Sequence, residues 1–566
     1  MYRTRHPAIL VLVLAACAGS DSPAPDTFDR TALDPAFAAM TTETLLAETR
    51  RLASDGFEGR APGTRGEDSS VAYLEAEFKA LGLKPGNPDG TFIQNVPLVG
   101  LTPKVTASVT QGGKTIPLQG VRDYIASSRR VTPTVSVENA ELVFVGYGIV
   151  APEYGWDDYK DVDVQGKTIV MLVSDPPIRS TSDTSTLDSA MFRGKAMTYY
   201  GRWTYKYEIA AKKGAAAAIV IHETGPAGYP FEVLSSGHER EGFDIKAADN
   251  NMSSVAVQAW MPEPRARQLM KDGGQDFDSL KKAALTREFR PISLNGSATF
   301  ALTQTIREVQ SRNVVAMIEG SHIARKDEFV IYSSHWDHLG RDPRLRGDQI
   351  FNGAVDNAIG TAGLIELARA FTKLATPPDR SILFLAVTAE EKGLLGSKYY
   401  AQAPLYPLGK TVANINMDGL NQWGKTSDIV VIGKGMTTLE DYLAEAAAAQ
   451  ARTLVPDPES EKGFYYRSDQ FEFAKRGVPA LYVDSGIEYV GKPAEYGVQK
   501  RDEYTNMHYH KVSDHVADDW DLSGAIDDLK LLLEVGYRAS QIAKFPEWKP
   551  GTEFKAIRDS MLGAMQ

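Results

Sequence analysis

Acidic side chains and a histidine follow apolar segments in the second half of the sequence. His335 follows the first such segment, Asp356 stands in a Val-Asp-Asn-Ala motif, Glu390 and Glu391 follow the next apolar segment, and Asp418 lies in an Asn-Met-Asp-Gly motif. Imidazole and carboxylate ligands without thiolates suit zinc, with cobalt or manganese as possible substitutes. The side chains therefore predict a metal site, provided that the fold brings these segments together.

Each of these residues also has a purely structural interpretation. A histidine beside a strand usually serves packing, and an aspartate before a helix usually caps it, as His335 and Asp356 could. The adjacent pair Glu390 and Glu391 is harder to explain in this way, because two like charges after an apolar segment repel each other. The sequence has no Lys/Arg cluster near them. A metal ion is therefore the natural compensating charge.

The apolar segments read as strands that alternate with amphipathic helices. Predicted strands cover 328–333, 381–387, 411–417 and 478–483, and predicted helices cover 361–374, 438–452, 469–476 and 526–542. This alternation predicts an α/β fold with a mostly parallel central sheet flanked by helices. In such open sheets, ligands bind beyond the carboxyl ends of the strands, which is where the acidic residues stand.

The order of the motifs resembles the two-zinc exopeptidases of peptidase family M28, which include bacterial leucyl aminopeptidase and glutamate carboxypeptidase. The resemblance covers about 41–135 and 301–566 and rests on His-x-Asp, Val-Asp-Asn-Ala, Glu-Glu and Asn-x-Asp-Gly in this order. It implies one zinc ion held by His335, Asp356 and Asp418. The second would be held by Asp356, Glu391 and His510, so that Asp356 bridges two ions roughly 3.5–4 Å apart.

Two other histidines near the C-terminus leave room for a different ligand. His510 follows Tyr509, as in the terminal Tyr-His motif of the family, and Asp514 follows four residues later. His508 and His515 are close neighbours in the sequence. The resemblance favours His510.

The resemblance also implies the catalytic roles. Glu390 would be the general base, because it cannot face the same metal as Glu391 without crowding, and it would pass its proton to the leaving amine. Asp337 would orient the imidazole of His335. Tyr509 would donate to the tetrahedral oxyanion, although a buried core tyrosine is the competing interpretation. The expected activity is the release of N-terminal residues from peptides by metal-activated water.

Three other activities stay open at this point. The same fold supports metallocarboxypeptidases, glutaminyl cyclase chemistry and non-catalytic relatives that bind peptides. A carboxypeptidase should present Arg or Lys to a free carboxylate, and the sequence does not decide whether Arg467 or Lys462 reaches the pocket. Serine or cysteine hydrolysis lacks a nucleophile, since there is no Gly-x-Ser-x-Gly elbow and Cys17 is the only cysteine.

The domain organisation follows from a change of character along the chain. Residues 41–135 and 301–566 are predicted to form the peptidase domain in two parts. Between them, 136–300 has short β-rich runs around a Lys-Lys-Gly-Ala helix-strand unit, which resembles the protease-associated domain inserted in many secreted peptidases.

The N-terminus reads as an export signal. Arg3 and Arg5 precede the apolar stretch 8–16, which is too short to span a membrane, and 14–17 (Leu-Ala-Ala-Cys) resembles a bacterial lipoprotein cleavage box. Residues 1–16 are therefore predicted to be a lipoprotein signal peptide and 17–40 a tether. The expected location is the bacterial outer membrane or periplasm, with a lipid anchor on Cys17 as the only link to the membrane.

The overall charge limits the partners. A net charge of -11 with no Lys/Arg run argues against nucleic acid, which needs a basic surface. Residues 419–426 fit the phosphate-binding P-loop pattern, but a predicted strand follows where a helix must begin. The expected partners are peptide substrates and two zinc ions.

Overall fold

The structure is a computed structural model that describes residues 28–235 and 237–564. The predicted signal peptide, Cys17 and the polar part of the predicted tether lie outside the described residues. The described end of that tether is folded: Arg30–Leu33 is a short 3-10 helix and Asp34–Ala39 an α-helix. Its apolar side chains Leu33 and Ala36 are fully buried. This part of the predicted tether therefore packs into the protein core.

The regular elements of the described residues alternate along the chain. The α-helices are α1 (Asp34–Ala39), α2 (Thr42–Leu52), α3 (Arg65–Ala80), α4 (Trp203–Lys212), α5 (Thr224–Ala227), α6 (Phe231–Ser235), α7 (Glu263–Asp272), α8 (Phe277–Ala283), α9 (Ile359–Phe371), α10 (Leu395–Gln402), α11 (Leu439–Ala449), α12 (Gln470–Ala474), α13 (Tyr496–Met507), α14 (Ser523–Gln541) and α15 (Lys555–Gly563). The strands are β1 (Lys84–Pro85), β2 (Ile93–Gln111), β3 (Lys114–Leu118), β4 (Ile125–Ser127), β5 (Thr134–Phe144), β6 (Val150–Ala151), β7 (Trp156–Asp157), β8 (Thr168–Leu172), β9 (Ala217–His222), β10 (Gly242–Ile245), β11 (Val257–Pro262), β12 (Ile292–Ile318), β13 (Phe329–His335), β14 (Gly340–Arg341), β15 (Ile350–Phe351), β16 (Ser381–Val387), β17 (Thr411–Asn416), β18 (Asp428–Ile432), β19 (Thr453–Pro456) and β20 (Ala480–Asp484).

The centre of the peptidase half is a parallel sheet. β13 lies between β16 and β17 and runs parallel to both, and β20 extends the sheet beside β17 in the same direction. Antiparallel pairing occurs further out, between β12 and β16 and between β18 and β20. The central strands are buried along their whole length, as strands covered on both faces must be. The predicted α/β fold is confirmed.

Helices cover this sheet and close its core. α9 packs against α2 and α14, and nearly all of its residues are buried. Gly363 allows that close packing, because a Cβ at this position would lie 2.8 Å from Cδ1 of Leu420. The helix that follows the turn with Asp356 is therefore held rigidly against the sheet.

A second hydrophobic core lies in the segment between the two peptidase parts. Its buried side chains come from residues 107–302, and we call this segment the inserted lobe. The strands β5, β8, β9 and β11 run parallel within it. The long strands β2 and β12 pair along their length and pass from one core to the other, so one sheet continues through both. Domain boundaries at 136 and 300 stay a prediction.

Within residues 28–235 and 237–564, no helix is long and apolar enough to cross a membrane.

Candidate metal centre

Three neighbouring parallel strands end at one edge of the sheet and deliver most of the acidic residues. β13 ends at His335, Glu390 and Glu391 follow β16, and Asp418 follows β17. In the pairing register His335 lies beside Val387, the last residue of β16. Residues that are far apart in the sequence therefore meet at one edge, as the alternation of strands and helices predicts.

Asp356 reaches the same edge from the turn that precedes α9. This turn spans Ala354–Ala358, and the amide of the next residue, Asn357, holds it in place. Nδ2 of Asn357 donates to Oγ of Ser334 (3.0 Å) and to the carbonyl of Met417 (3.1 Å). The turn is thereby fastened to the ends of β13 and β17, and its carboxylate points into the cluster.

One half of the cluster is built around His335. Its Nε2 lies 3.0 Å from Oδ1 of Asp418 and 3.4 Å from Oδ1 of Asp356. Its Nδ1 lies 3.1 Å from the backbone carbonyl of Asp337. A carbonyl at Nδ1 favours the tautomer in which Nε2 is free to act as a ligand.

The other half is built around His510. Its Nε2 lies 3.1 Å from Oδ2 of Asp356 and 3.1 Å from Oε2 of Glu391. The two oxygens of Asp356 therefore face two different histidines. A third imidazole joins this half, because Nδ1 of His338 lies 2.7 Å from Oε1 of Glu391. The structure brings together all five predicted ligands.

The pKa values of the histidines in the cluster are strongly shifted. Burial alone would lower the pKa of His335, but the surrounding carboxylates, Asp418 first among them, raise it well above its ordinary value. Burial also acts to lower the pKa of His510, but hydrogen bonds to Asp356 and Glu391 outweigh it and raise the pKa to about 10. The cluster thus demands positive charge, and without a metal the imidazoles must supply it as protons.

The donor set fits zinc. Ligand atoms of His335, Asp356 and Asp418 lie within 4.8 Å of one another, and so do those of His338, Asp356 and Glu391. Both ring nitrogens of His338 and Oε1 of Glu391 are buried, and although Nδ1 and Oε1 lie 2.7 Å apart, none of the three atoms makes a hydrogen bond with good geometry. Such orphaned atoms are rare in folded proteins. A bound cation with nitrogen and oxygen ligands would satisfy them.

Glu390 stands apart from the histidines. Among the described residues no histidine lies within ion-pair distance of its carboxyl group, and its backbone N–H donates to Oδ1 of Asp337 (3.0 Å). Ala389 before it has a left-handed conformation (φ 53°), which turns the chain sharply after β16. Burial raises the pKa of Glu390 well above its ordinary value, the charge of His335 opposes the change, and the negative charges of Asp418 and Glu391 add to it.

Asp337 contacts the glutamate loop more closely than the imidazole. Its carboxylate oxygen lies 3.8 Å from Nδ1 of His335, beyond hydrogen-bond distance, while its backbone carbonyl makes the contact with this ring. Burial raises the pKa of Asp337 to about 7. In this geometry Asp337 orients His335 through its main chain and Glu390 through its side chain.

The C-terminal tyrosine and histidines occupy distinct positions. The ring of Tyr509 stacks on His510 with centroids 3.9 Å apart and is partly exposed, so it is not a core tyrosine. Nδ1 of His508 lies 3.0 Å from the carbonyl of Ser513, and His515 faces Asp348. Of the three histidines, His510 is the one at the cluster.

Four supporting residues were not assigned from the sequence. His338 contacts Glu391, and Oγ of Ser468 donates to Oδ2 of Asp418 (2.6 Å). Asp514 accepts from the backbone N–H groups of residues 355 and 356. The buried Arg60 donates to the carbonyls of residues 52, 336, 352 and 353. Two of them carried a signal: His338 lies in the same His-Trp-Asp-His run as His335, and Asp514 follows His510 by four residues.

A cavity of about 820 Å³ opens onto the cluster. Its lining includes Glu390, Glu391, Tyr509 and His510 as well as residues of the inserted lobe. Tyr466 lines this cavity, whereas the neighbouring aromatic residues Phe464 and Tyr465 do not.

Comparison with known proteins identifies the region that carries the cluster. Residues 313–533 match the model of peptidase family M28. The chain contains a peptidase family M28 domain. All five predicted ligands lie within the matched residues of the M28 domain, and so do Glu390, Asp337 and Tyr509.

Individual relatives match shorter stretches. Aminopeptidase YwaD of Bacillus subtilis (strain 168) is 32% identical over 123 residues, which are 21% of this chain and 24% of that protein. A protein named Probable zinc metalloprotease from Pyrenophora teres f. teres (strain 0-1) is 36% identical over 111 residues, 19% of this chain and 23% of that protein. The chain therefore spans about a quarter of the length of these relatives.

Solved structures resemble the chain over more of its length. The aminopeptidase from Aneurinibacillus sp. strain AM-1 has 18% sequence identity and a TM-score of 0.46, with 92% of this chain and 97% of that chain covered.

Proposed function

We propose that this protein is a zinc-dependent aminopeptidase that holds two zinc ions and releases N-terminal residues from peptides. The observation that carries the proposal is the placement of Asp356, whose two carboxylate oxygens face His335 and His510 within an M28 domain. His335, Asp356 and Asp418 would hold one ion, and Asp356, Glu391 and His510 the other. Bound zinc lowers the pKa of water and polarises a carbonyl group.

Glu390 is the general base in this proposal. Its carboxyl group lies in the cluster but forms no ion pair with a histidine among the described residues. It is therefore free to accept a proton and to hand it to the leaving amine. The N–H···O bond to Asp337 and the turn at Ala389 fix the position of Glu390.

Tyr509 is the proposed donor to the oxyanion. It lines the cavity and stacks on the ligand His510, so its hydroxyl group is available near the reacting carbonyl. Loss of one such donor lowers the rate on the order of a hundredfold. Tyr509→Phe should show this loss in kcat with unchanged zinc content, and a normal kcat would remove Tyr509 from the mechanism.

The inserted lobe is, in the same proposal, a protease-associated domain that limits access to the cluster. Its contribution to the cavity wall supports this role. The comparison of short peptides with longer ones in steps of one residue tests it. A catalytic efficiency that falls steeply beyond a certain length is expected, and an efficiency independent of length would reject the gating role.

Export and lipid attachment belong to the proposal as well. The Leu-Ala-Ala-Cys run at 14–17 supports acylation of Cys17 after cleavage. Expression in a bacterial host should place the protein in the membrane fraction, and Cys17→Ser should release it. A Cys17→Ser protein that stays in the membrane fraction would contradict the anchor.

The decisive experiment for the activity uses matched short peptides with free or acetylated amino termini. Zinc-dependent cleavage restricted to the free-amine set is expected. Cleavage of the acetylated set from its carboxyl end would instead assign the carboxypeptidase alternative, and no cleavage of either set would favour a peptide-binding relative. Chelation followed by zinc addition controls for metal dependence.

A further inference from the structure

The half of the cluster around His510 contains one imidazole more than the M28 resemblance assigns to it. The resemblance gives this half the ligands Asp356, Glu391 and His510, and His338 is not among them. Nδ1 of His338 nevertheless lies 2.7 Å from Oε1 of Glu391 and 4.0 Å from Oδ2 of Asp356. The other oxygen of Glu391, Oε2, lies 3.1 Å from Nε2 of His510. The two oxygens of this glutamate therefore face two different histidines.

The surroundings of His338 fix the position of its ring. The residue follows the end of β13 closely, and its backbone N–H donates to the carbonyl of Arg60 (3.3 Å). Its side chain is fully buried. Gly353 packs so closely against the ring that a Cβ at this position would lie 2.6 Å from Cδ2 of His338. This packing restricts the imidazole to the position beside Glu391.

The contact between His338 and Glu391 is short but lacks the geometry of a hydrogen bond. Nδ1 and Oε1 lie 2.7 Å apart, yet neither atom has a hydrogen-bond partner among the described residues, and the same holds for Nε2 of this ring. A protonated imidazole would therefore bury two N–H groups without an acceptor, which is rare in folded proteins. A neutral imidazole that uses its Nδ1 lone pair as a ligand would bury only one.

We propose that His338 is a further metal ligand, which binds through Nδ1 to the ion held by Asp356, Glu391 and His510. Two ligands of one ion can lie close together without a hydrogen bond between them, because both direct a lone pair at the ion. Donor atoms of His338, Asp356 and Glu391 lie within 4.8 Å of one another, and the ligand atoms of a tetrahedral zinc site lie about 3.3 Å apart. The inference rests on the proposed zinc content, since it concerns the same site.

A fourth ligand makes the two halves of the cluster unequal. Zinc sites with four protein ligands are closed, whereas sites with three keep a position for water or substrate. With His338, the half around His510 has four protein ligands, and the half around His335 has three. The open position therefore belongs to the half around His335.

NMR of the cadmium-loaded full chain, with NMR-active isotopes of cadmium and of histidine nitrogen, tests the bond directly. Scalar coupling passes through a metal-nitrogen bond, so each cadmium resonance counts the imidazoles on its ion. We expect one resonance that couples to one nitrogen and a second that couples to two. Two resonances that each couple to a single nitrogen would overturn the proposal. The experiment needs no substitution at the buried His338.

A substitution separates a ligand from a residue that only supports a ligand. In His338→Asn the side-chain amide can donate to Glu391 in place of Nδ1, but amides are not among the usual zinc ligands. Affinity for one zinc ion should fall by more than about 100-fold, the upper range for loss of a supporting residue. A smaller fall would mean that His338 only supports Glu391. Competition with a chromogenic chelator measures both affinities.

The matched control replaces a histidine that lies near the cluster in sequence but not in contact with it. Nδ1 of His508 lies 3.0 Å from the carbonyl of Ser513. His508→Asn should therefore leave both zinc affinities and all cadmium couplings unchanged. A loss of affinity as large as that of His338→Asn would show that the effect is not specific to ligation, and would overturn the proposal.

The outcomes separate this inference from the proposed function, because none of these measurements uses peptide hydrolysis. If the protein binds two ions but hydrolyses no peptide, the aminopeptidase proposal fails and the couplings still decide the role of His338. If peptides are hydrolysed and each ion couples to one imidazole, only the inference about His338 fails. Absence of metal binding would overturn both.

Discussion

Oδ2 of Asp356 lies 3.1 Å from Nε2 of His510, although the two residues come from opposite ends of the M28 domain. The other oxygen of this carboxylate, Oδ1, faces His335 at 3.4 Å. A single aspartate therefore joins the two halves of the cluster. This arrangement is what a bridging ligand between two metal ions requires.

Replacement of the bridging carboxylate should empty both metal sites. Asp356→Asn is expected to reduce the zinc content from two ions per chain to none, since an amide supplies no second anionic oxygen to the other half. Elemental analysis after dialysis measures the ratio. Asp418→Asn is the control, because His335 is the only histidine that pairs with Asp418 among the described residues, and loss of this carboxylate should remove one ion. Loss of a single ion from Asp356→Asn would argue against bridging.

Replacement of the proposed base should separate metal binding from turnover. Glu390→Gln keeps the size of the side chain, and its backbone bond to Asp337 is unaffected. We expect full zinc content and a fall in kcat of about two to four orders of magnitude, the range of general base catalysis. Peptide hydrolysis and zinc content are measured on the same preparation. A near-normal kcat would remove Glu390 from the mechanism.

Arg60 should act on metal affinity although it touches no predicted ligand. Its guanidinium group holds the carbonyls of residues 336, 352 and 353, which flank the segments with His335 and Asp356. Arg60→Lys cannot reach all of these acceptors, so we expect zinc affinity to fall by about 10- to 100-fold, as for other residues that support ligands. Competition with a chromogenic chelator measures the affinity.

A second buried arginine provides the control for this prediction. Arg558 donates to the carbonyls of Leu408 and Thr411, which do not flank a predicted ligand. Arg558→Lys should lower the melting temperature in the same way as Arg60→Lys, because both lose buried charge-assisted hydrogen bonds. It should leave zinc affinity unchanged. Equal effects on affinity in the two variants would reduce Arg60 to a purely structural residue.

The buried pair of Asp528 and Arg452 should make stability depend on pH. Their side chains lie 2.7 Å apart, yet burial raises the pKa of Asp528 from 3.8 to about 6, although Arg452 opposes the change. Between these values the folded protein binds more protons than the unfolded chain, so stability falls as the pH rises from about 4 to about 6.

The variant Asp528→Asn removes this titration. Relative to the wild type, it should gain about 3 kcal/mol of stability between pH 4 and pH 7, from a pKa difference of about two units. The difference between the two melting temperatures at each pH is the measurement, because other titrating groups contribute equally to both proteins. A difference that moves the opposite way would mean that the ion pair with Arg452 holds the folded-state pKa below 3.8.

The sequence by itself determined the fold class and the strand ends at which the chemistry sits. Each central strand is a short apolar run, and such a run followed by an acidic residue is a local pattern that is visible without coordinates. The predicted strands at His335, Asp418 and the Glu390-Glu391 pair therefore agree with the structure to within a few residues. The order of the motifs added His510, which no periodicity could have selected from three histidines.

The long strands β2 and β12 do not show the short apolar run that marks the central strands. β2 contains Pro97, Gly100 and Pro103, and proline and glycine are typical of turns rather than of strand interiors. β12 passes between two cores, so its alternation of buried and exposed residues is irregular. The two strands pair over most of their length. This pairing keeps residues in the extended conformation that their own strand propensity would not favour.

Only the tertiary structure decided which side chains support the cluster and which charges face the cavity. Arg60 and Ser468 act through contacts with residues far away in the chain, and nothing in their immediate sequence distinguishes them from surface residues. Local sequence specifies a strand or a turn through neighbouring residues, whereas burial and charge pairing depend on which distant segments the fold brings together.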